Sequence, residues 1–145
     1  MSRAAVYDAI LADPDLQALG FDRSSVLVNY DGDQRPTDTM FMVLSWGNEG
    51  AGIQGDDVFS IPTKVLNIWV HMYKNFSTDF VRIDSVMDIL DATLGGMINV
   101  DGADGYTLSQ AIPNTRSRDL RDDSYQTLCR STSYKIIDNV TTATV

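Results

Sequence analysis

The chain has one cysteine, one histidine and one glutamate in 145 residues. Each scarcity closes off some chemistry. A lone Cys129 allows no internal disulfide, which suits a reducing compartment. It sits in "YQTLCRSTSYKI", a strand-like stretch, and reads as a buried small apolar residue and not as a nucleophile. Zinc takes nitrogen and sulfur ligands, and His71 with Cys129 are too few to hold it. No GxSxG elbow accompanies His71, and no Gly-Lys-Ser/Thr phosphate loop occurs. No apolar run reaches the roughly 20 residues of a membrane helix. "MSRAAVYDAILADPD" has no long apolar core of the signal-peptide kind. Asn75-Phe76-Ser77 and Asn139-Val140-Thr141 match the glycosylation pattern, which carries no meaning without secretion.

What is abundant is aspartate. Of the 20 acidic residues all but Glu49 are aspartates, and the net charge is -9. Aspartate forms helices poorly and turns and caps well, so the composition suits strands, turns and few helices. A negative field of this size repels nucleic acid instead of gripping it. The hydrophobic fraction of 43% excludes a disordered chain, and the length suits a single domain over residues 1–145.

One motif points to an enzyme. "WGNEGAGIQGDDVFSIP" contains a full GxGxxG in Gly50, Gly52 and Gly55. That fingerprint works only if a helix opens behind it and aims its N-terminus at a pyrophosphate. Here Asp56 and Asp57 would face the phosphates, Pro62 would end any helix early, and no apolar stripe begins. The stretch 47–61 therefore reads as a mobile loop between strands, and no cofactor is expected.

Elsewhere the pattern is regular. Ser2 can cap a first helix carrying Val6, Ala9 and Ile10 on one face. Asp13-Pro14 restarts a helical turn that Gly20 stops. "SSVLVNY" and "TMFMVLSW" read as strands. "KVLNIWVHMYK" alternates most clearly, with Leu66, Ile68, Val70 and Met72 on one side and Asn67, Trp69, His71 and Tyr73 on the other. Ser77, Thr78 and Asp79 offer caps for a helix whose Phe80, Ile83, Met87, Leu90 and Leu94 recur at helical spacing, ended by Gly95-Gly96. Turn chemistry at Asp101-Gly102 and Asp104-Gly105 interrupts the strand-like "MINVDGADGYTLSQAI". "PNTRSRDLRDD" reads as a polar connector, "SYQTLCRSTSYKII" as a last strand, and 138–145 as an extended tail. Strands in neighbouring pairs predict the α+β class, a mainly antiparallel sheet of four to five strands with two helices packed on one face.

Two charged clusters invite a site. Asp31, Asp33 and Asp38 hint at calcium, but the positions where an EF-hand loop needs glycine and a bidentate acid hold Pro36 and Met42. No metal is expected. Arg116, Arg118 and Arg121 are interleaved with aspartates, which fits either a solvated connector or a partner contact. The mixed strand face has large amphipathic groups of the kind that anchor subunit contacts. The expected interface is therefore Asn67, Trp69, His71 and Tyr73, with Glu49, Asp56 and Asp57 of the loop and Arg116, Arg118 and Arg121.

The order of elements carries a resemblance. A short N-terminal helix, "AAVYDAILADPDLQALG", is followed by an exposed strand and a P-x-x-x-x-F-M-V-L approach to the next. Then come "VLNIWVHMYK", the helix "STDFVRIDSVMDILDATL", and a charged segment, "RSRDLRDDSYQTLCRSTSYKI", running into the final strand. Over roughly residues 3–137 this resembles the tail terminator, or tail completion, proteins of long-tailed double-stranded DNA bacteriophages. The resemblance implies a non-enzymatic virion protein, assembled in the host cytoplasm. It would form a six-fold ring on the head-proximal end of the tail tube, stop tube growth and join the tail to the head connector. Its implied partners are further copies of itself, the tail tube protein and a connector or neck protein, with DNA passing through the lumen and no membrane involved. A repelling acidic lumen would let DNA slide. The family has no catalytic motif to carry over. A head-tail adaptor or neck protein of the same virion is the alternative, and an ordinary binding module or a small enzyme using the glycine loop are the readings from other classes.

Overall fold

The computed structural model describes residues 2–28, 36, 38–47, 50–54 and 60–141, with 50–54 and 60–63 described by backbone alone. Among the described residues there are three helical segments: α1 (Arg3–Ala12), α2 (Pro14–Ala18) and α3 (Val81–Gly95). Eight strands among the described residues follow the order β1 (Val26–Leu27), β2 (Met40–Trp46), β3 (Gly50–Gln54), β4 (Ser60–Tyr73), β5 (Ile98–Asp101), β6 (Tyr106–Arg116), β7 (Leu120–Asp122) and β8 (Thr127–Val140). They form one curled sheet in the order β1-β2-β4-β8-β6-β5, with β3 added to β4 and β7 to β8.

The class is as expected, but the sheet is larger than four to five strands and is mixed, because β1 pairs β2 in parallel. Three segments account for the difference. Gly50–Gln54 lies in the stretch read as a loop, yet it is a strand paired antiparallel with Ser60–Thr63. The connector "PNTRSRDLRDD" is largely strand as well, since β6 runs to Arg116 and β7 covers Leu120–Asp122. The first residues of the expected tail, Asp138 to Val140, pair with β6; residues 142–145 lie outside the described residues. All three are hydrophilic or glycine-rich. Backbone pairing at a sheet margin needs no apolar side chain, so hydropathy alone did not reveal them.

The core is the meeting of two single-faced elements. Leu66, Ile68, Val70 and Met72 on β4 are fully buried, and so are Ile83, Met87, Leu90 and Leu94 on α3, joined by Val86. They share one cluster, against which Phe80 packs half-buried. Alternation on the strand and the three-to-four spacing on the helix each produce one apolar side, and each side removes the other from water. Val6 and Ile10 of α1 and Leu16 of α2 join the same cluster, so all the helices lie on one face.

Local caps differ in detail from the sequence expectation. Asp13 caps α2 through its Oδ1, which accepts from the backbone N–H groups of Asp15 at 2.9 Å and Leu16 at 3.1 Å. Gly20 follows with φ +93°, a left-handed conformation that glycine adopts freely. Asp79 Oδ1 accepts from Val81 N–H at 3.0 Å and satisfies the start of α3. Ser2 makes no side-chain cap on α1. Instead its backbone N–H donates to Asp138 Oδ2 of β8 at 2.6 Å, and Ala4 N–H donates to Asp104 Oδ2 at 3.1 Å. Carboxylates remote in sequence thus do the work expected of a local serine.

Candidate interaction surface

The sheet has two unlike faces. On the inner one lie the helices. The outer one begins with the residues of β4 that point away from them. Cross-strand register sets the rows: Ser45, Asn67 and Ser133; Val43, Trp69 and Ser131; Phe41, His71 and Cys129, continuing to Leu120. Val65, Lys135 and Ile112 form a further row.

The face expected to be open is open only at one end. His71 is 2% exposed and Tyr73 6%. Tyr73 belongs to a second small core with Leu27, Phe41 and Val43, flanked by Trp69 and Tyr125, and His71 packs against it. The His71 ring stacks on Phe41 at 4.6 Å between centroids and 2° between planes, and meets Tyr125 edge-on at 5.6 Å. Its Nδ1 lies 2.9 Å from Thr127 Oγ1. These two residues therefore offer packing inside the chain, while Asn67 and Trp69 remain half-exposed. Beside Trp69 a depression of ≈ 360 Å³ is lined by Leu120, Arg121, Asp122, Asp123, His71 and Cys129. The Cys129 thiol is pushed up to about 11 by burial and by the negative Asp122. It is buried, as its strand-like sequence context predicts, and its thiol stays protonated at neutral pH.

The arginines separate into two kinds. Arg116 bridges Asp88 at 2.9 Å and Asp91 at 2.6 Å on α3. Burial alone would lower its basicity, but the hydrogen bonds it donates to Asp91 and Asp88 outweigh that and raise it. Arg130 contacts Asp84 one turn earlier and donates to Ser117 O. The fully buried Tyr134 donates its hydroxyl to Asp91 at 2.5 Å. Three aspartates spaced along one side of α3 thus clamp it to β6 and β8. Arg116 is spent on the fold, whereas Arg118 and Arg121 are exposed and form no ion pair among the described residues. Glu49, Asp56 and Asp57 lie outside the described residues, as do Asp31 and Asp33 of the calcium-like stretch. Among the described residues no group of three or more potential ligands could hold a metal ion. Nor is any described helix long and apolar enough to cross a membrane.

Sequence reasoning missed two features. Ser131, Lys135 and Ile112 share the outer face with Asn67 and Trp69, and the alternation within "TLCRSTSYKI" was the available signal. The second is a node where β4 and β8 part. Asp138, whose side chain is 1% exposed, accepts from Lys64 Nζ at 2.7 Å and from Ser2 N–H. No local pattern marks it, because its three members come from both ends and the middle of the chain.

No family model matches this chain, and no curated protein matches it. Its fold is similar to that of a chain in the virion of a native gene transfer agent particle, at 17% identity and a TM-score of 0.67. The likeness covers 94% of this chain and 93% of that one. At that identity it is a likeness of fold, and it extends over the whole architecture described above.

Proposed function

We propose that this chain is a structural, non-enzymatic virion protein that caps the head-proximal end of a phage tail tube as a six-fold ring, stops tube growth and joins the tail to the head connector. The observation that carries the reading is the near end-to-end likeness to a chain of a phage-like virion. The order of elements from the N-terminal helix to the final strand, which resembles the tail terminator family, supports the same reading independently of that likeness. So does the charge of -9, since an acidic lumen lets DNA pass without sticking.

The test is particle assembly without this protein. A terminator leaves filled heads without attached tails, together with tails of uncontrolled length. Tails of normal length that merely fail to join heads would make the chain a head-tail adaptor. Particles of normal form and number would remove it from the virion's structure altogether.

A further inference from the structure

The depression of ≈ 360 Å³ on the outer face draws its lining from three strands. Register fixes which side chains face it. His71 pairs with Cys129 and Cys129 with Leu120, so these three form one row. Trp69 lies two residues from His71, on the same side of β4. Asp122 pairs with Thr127, which puts it with Leu120 on the outer side of β7. Arg121 pairs with Leu128, a member of the main core, so it stems from the opposite side and borders the depression at its edge.

The lining has three chemical parts. The floor is the half-buried Leu120 and the buried Cys129. One wall is the half-exposed Trp69 ring. The other is a carboxylate held in place: Asp122 Oδ1 accepts from Tyr125 N–H at 3.1 Å, and the second oxygen has no partner among the described residues. Asp123 stands farther out, its side chain 82% exposed, with Lys74 3.9 Å away, a pair of little strength in water. The Cys129 thiol registers the local field. Burial raises its pKa and Asp122 raises it further, with no cation among the described residues acting the other way.

An indole face attracts a cation, and so does a fixed carboxylate. A cation on an alkyl stem fits all three parts, with the stem on the floor and the charge between the walls. Guanidinium fits better than ammonium, because its plane stacks on the ring while its N–H fork engages the carboxylate. An anion would meet Asp122 inside the overall field of -9. The volume is at the small end of ligand pockets, which suits a single side chain.

We infer that this depression receives an arginine side chain of a basic partner protein, its guanidinium stacked on Trp69 and bonded to Asp122. A second copy of the chain is the poorer occupant, because two chains of -9 repel, whereas the same field draws a basic partner in. The inference goes beyond the virion reading, and its first test needs only the isolated chain, so either can fail alone.

That test follows the two indole N–H signals by nuclear magnetic resonance in an isotope-labelled chain, with Trp69→Phe telling Trp69 from Trp46. The probe is N-acetyl-arginine amide, and the control is its neutral isostere N-acetyl-citrulline amide. The arginine probe is expected to move the Trp69 signal saturably and leave Trp46 in place, and citrulline to move neither. Asp122→Asn keeps an oxygen for Tyr125 N–H and is expected to weaken binding about fivefold or more. No shift, an equal response to citrulline, or unchanged binding in Asp122→Asn overturns the site. The occupant is tested by a photo-crosslinking residue at Ser131, the cross-strand neighbour of Trp69, in the cells that produce the chain. The expected adduct maps to an arginine-containing peptide of a different protein and is lost in Asp122→Asn. An adduct to a second copy of the chain, or none, overturns the basic partner.

Discussion

At the scale of single residues, position 90 tests the core most sharply. Leu90 has no exposure and sits between α3 and β4. Leu90→Asp would bury a carboxylate among apolar side chains with no cation to pair it, an effect worth about 4 kcal/mol or more. Thermal melting followed by circular dichroism should lose its cooperative transition. A melt within a degree or two of the wild type would mean that the inward face of α3 is assigned wrongly. The same scale separates look-alike residues. His71 and Trp69 are two positions apart on one strand face, yet the first is walled in by Phe41 and Tyr125 while the second keeps access to solvent.

At the scale of elements, the clamp on α3 makes its aspartates unequal. Asp91 holds both Arg116 and the buried Tyr134 hydroxyl, whereas the Asp88 side chain is 72% exposed and holds Arg116 alone. Removing the acceptor of a buried hydroxyl costs about 1–3 kcal/mol. Losing an exposed ion pair costs about 0–1 kcal/mol. Urea unfolding should therefore place Asp91→Ala well below Asp88→Ala in stability, and equal midpoints would mean the clamp is carried elsewhere. The glycine motif belongs to this scale too. Gly50 and Gly52 lie in β3, and the next described element, opening at Ser60, is its antiparallel partner instead of a helix. With no helix N-terminus behind the glycines among the described residues, calorimetric titration with NAD or ATP should show no specific heat. Micromolar binding abolished by Gly52→Val would support the enzyme reading.

At the scale of the whole molecule, acid should loosen what the carboxylates hold. Burial works to raise the Asp138 pKa, but the hydrogen bonds from Lys64 and Ser2 prevail and leave it below the ordinary 3.8. Asp13 is lowered in the same way, burial being outweighed by hydrogen bonds from Thr93, Leu16 and Asp15. A carboxyl with a depressed folded pKa contributes stability that is complete above its unfolded value and lost as pH falls through the folded one. The melting temperature should accordingly be insensitive to these groups above about pH 5 and drop progressively below about pH 4. Asp138→Asn should flatten part of that drop and cost about 2 kcal/mol at neutral pH, read by denaturant titration at pH 7 and pH 3. Asp138 ties β8, the start of α1 and Lys64 of β4 into one point, so its loss is felt by the assembly of layers and not by one element.

Periodicity was enough to determine the helices, the central strand and the inward faces. The 3.6-residue repeat of α3 and the two-residue alternation of "VLNIWVHMY" are written in side-chain hydropathy, and the burial of Leu66, Ile68, Val70, Ile83, Met87 and Leu90 follows from them. Asp13-Pro14 and Gly20 likewise state their own cap and stop. The tertiary structure alone decided which polar segments became edge strands, that β1 runs parallel to β2, and that half of the mixed face is sealed by Phe41, Tyr73 and Tyr125. It also decided that Arg116 and Arg130 pair with the aspartates of α3 and that Asp138 caps α1. Hydropathy is a local property of the chain. Backbone pairing at a margin, an ion pair and a remote cap depend on which distant segments meet, and that is fixed only when the sheet closes over its helices.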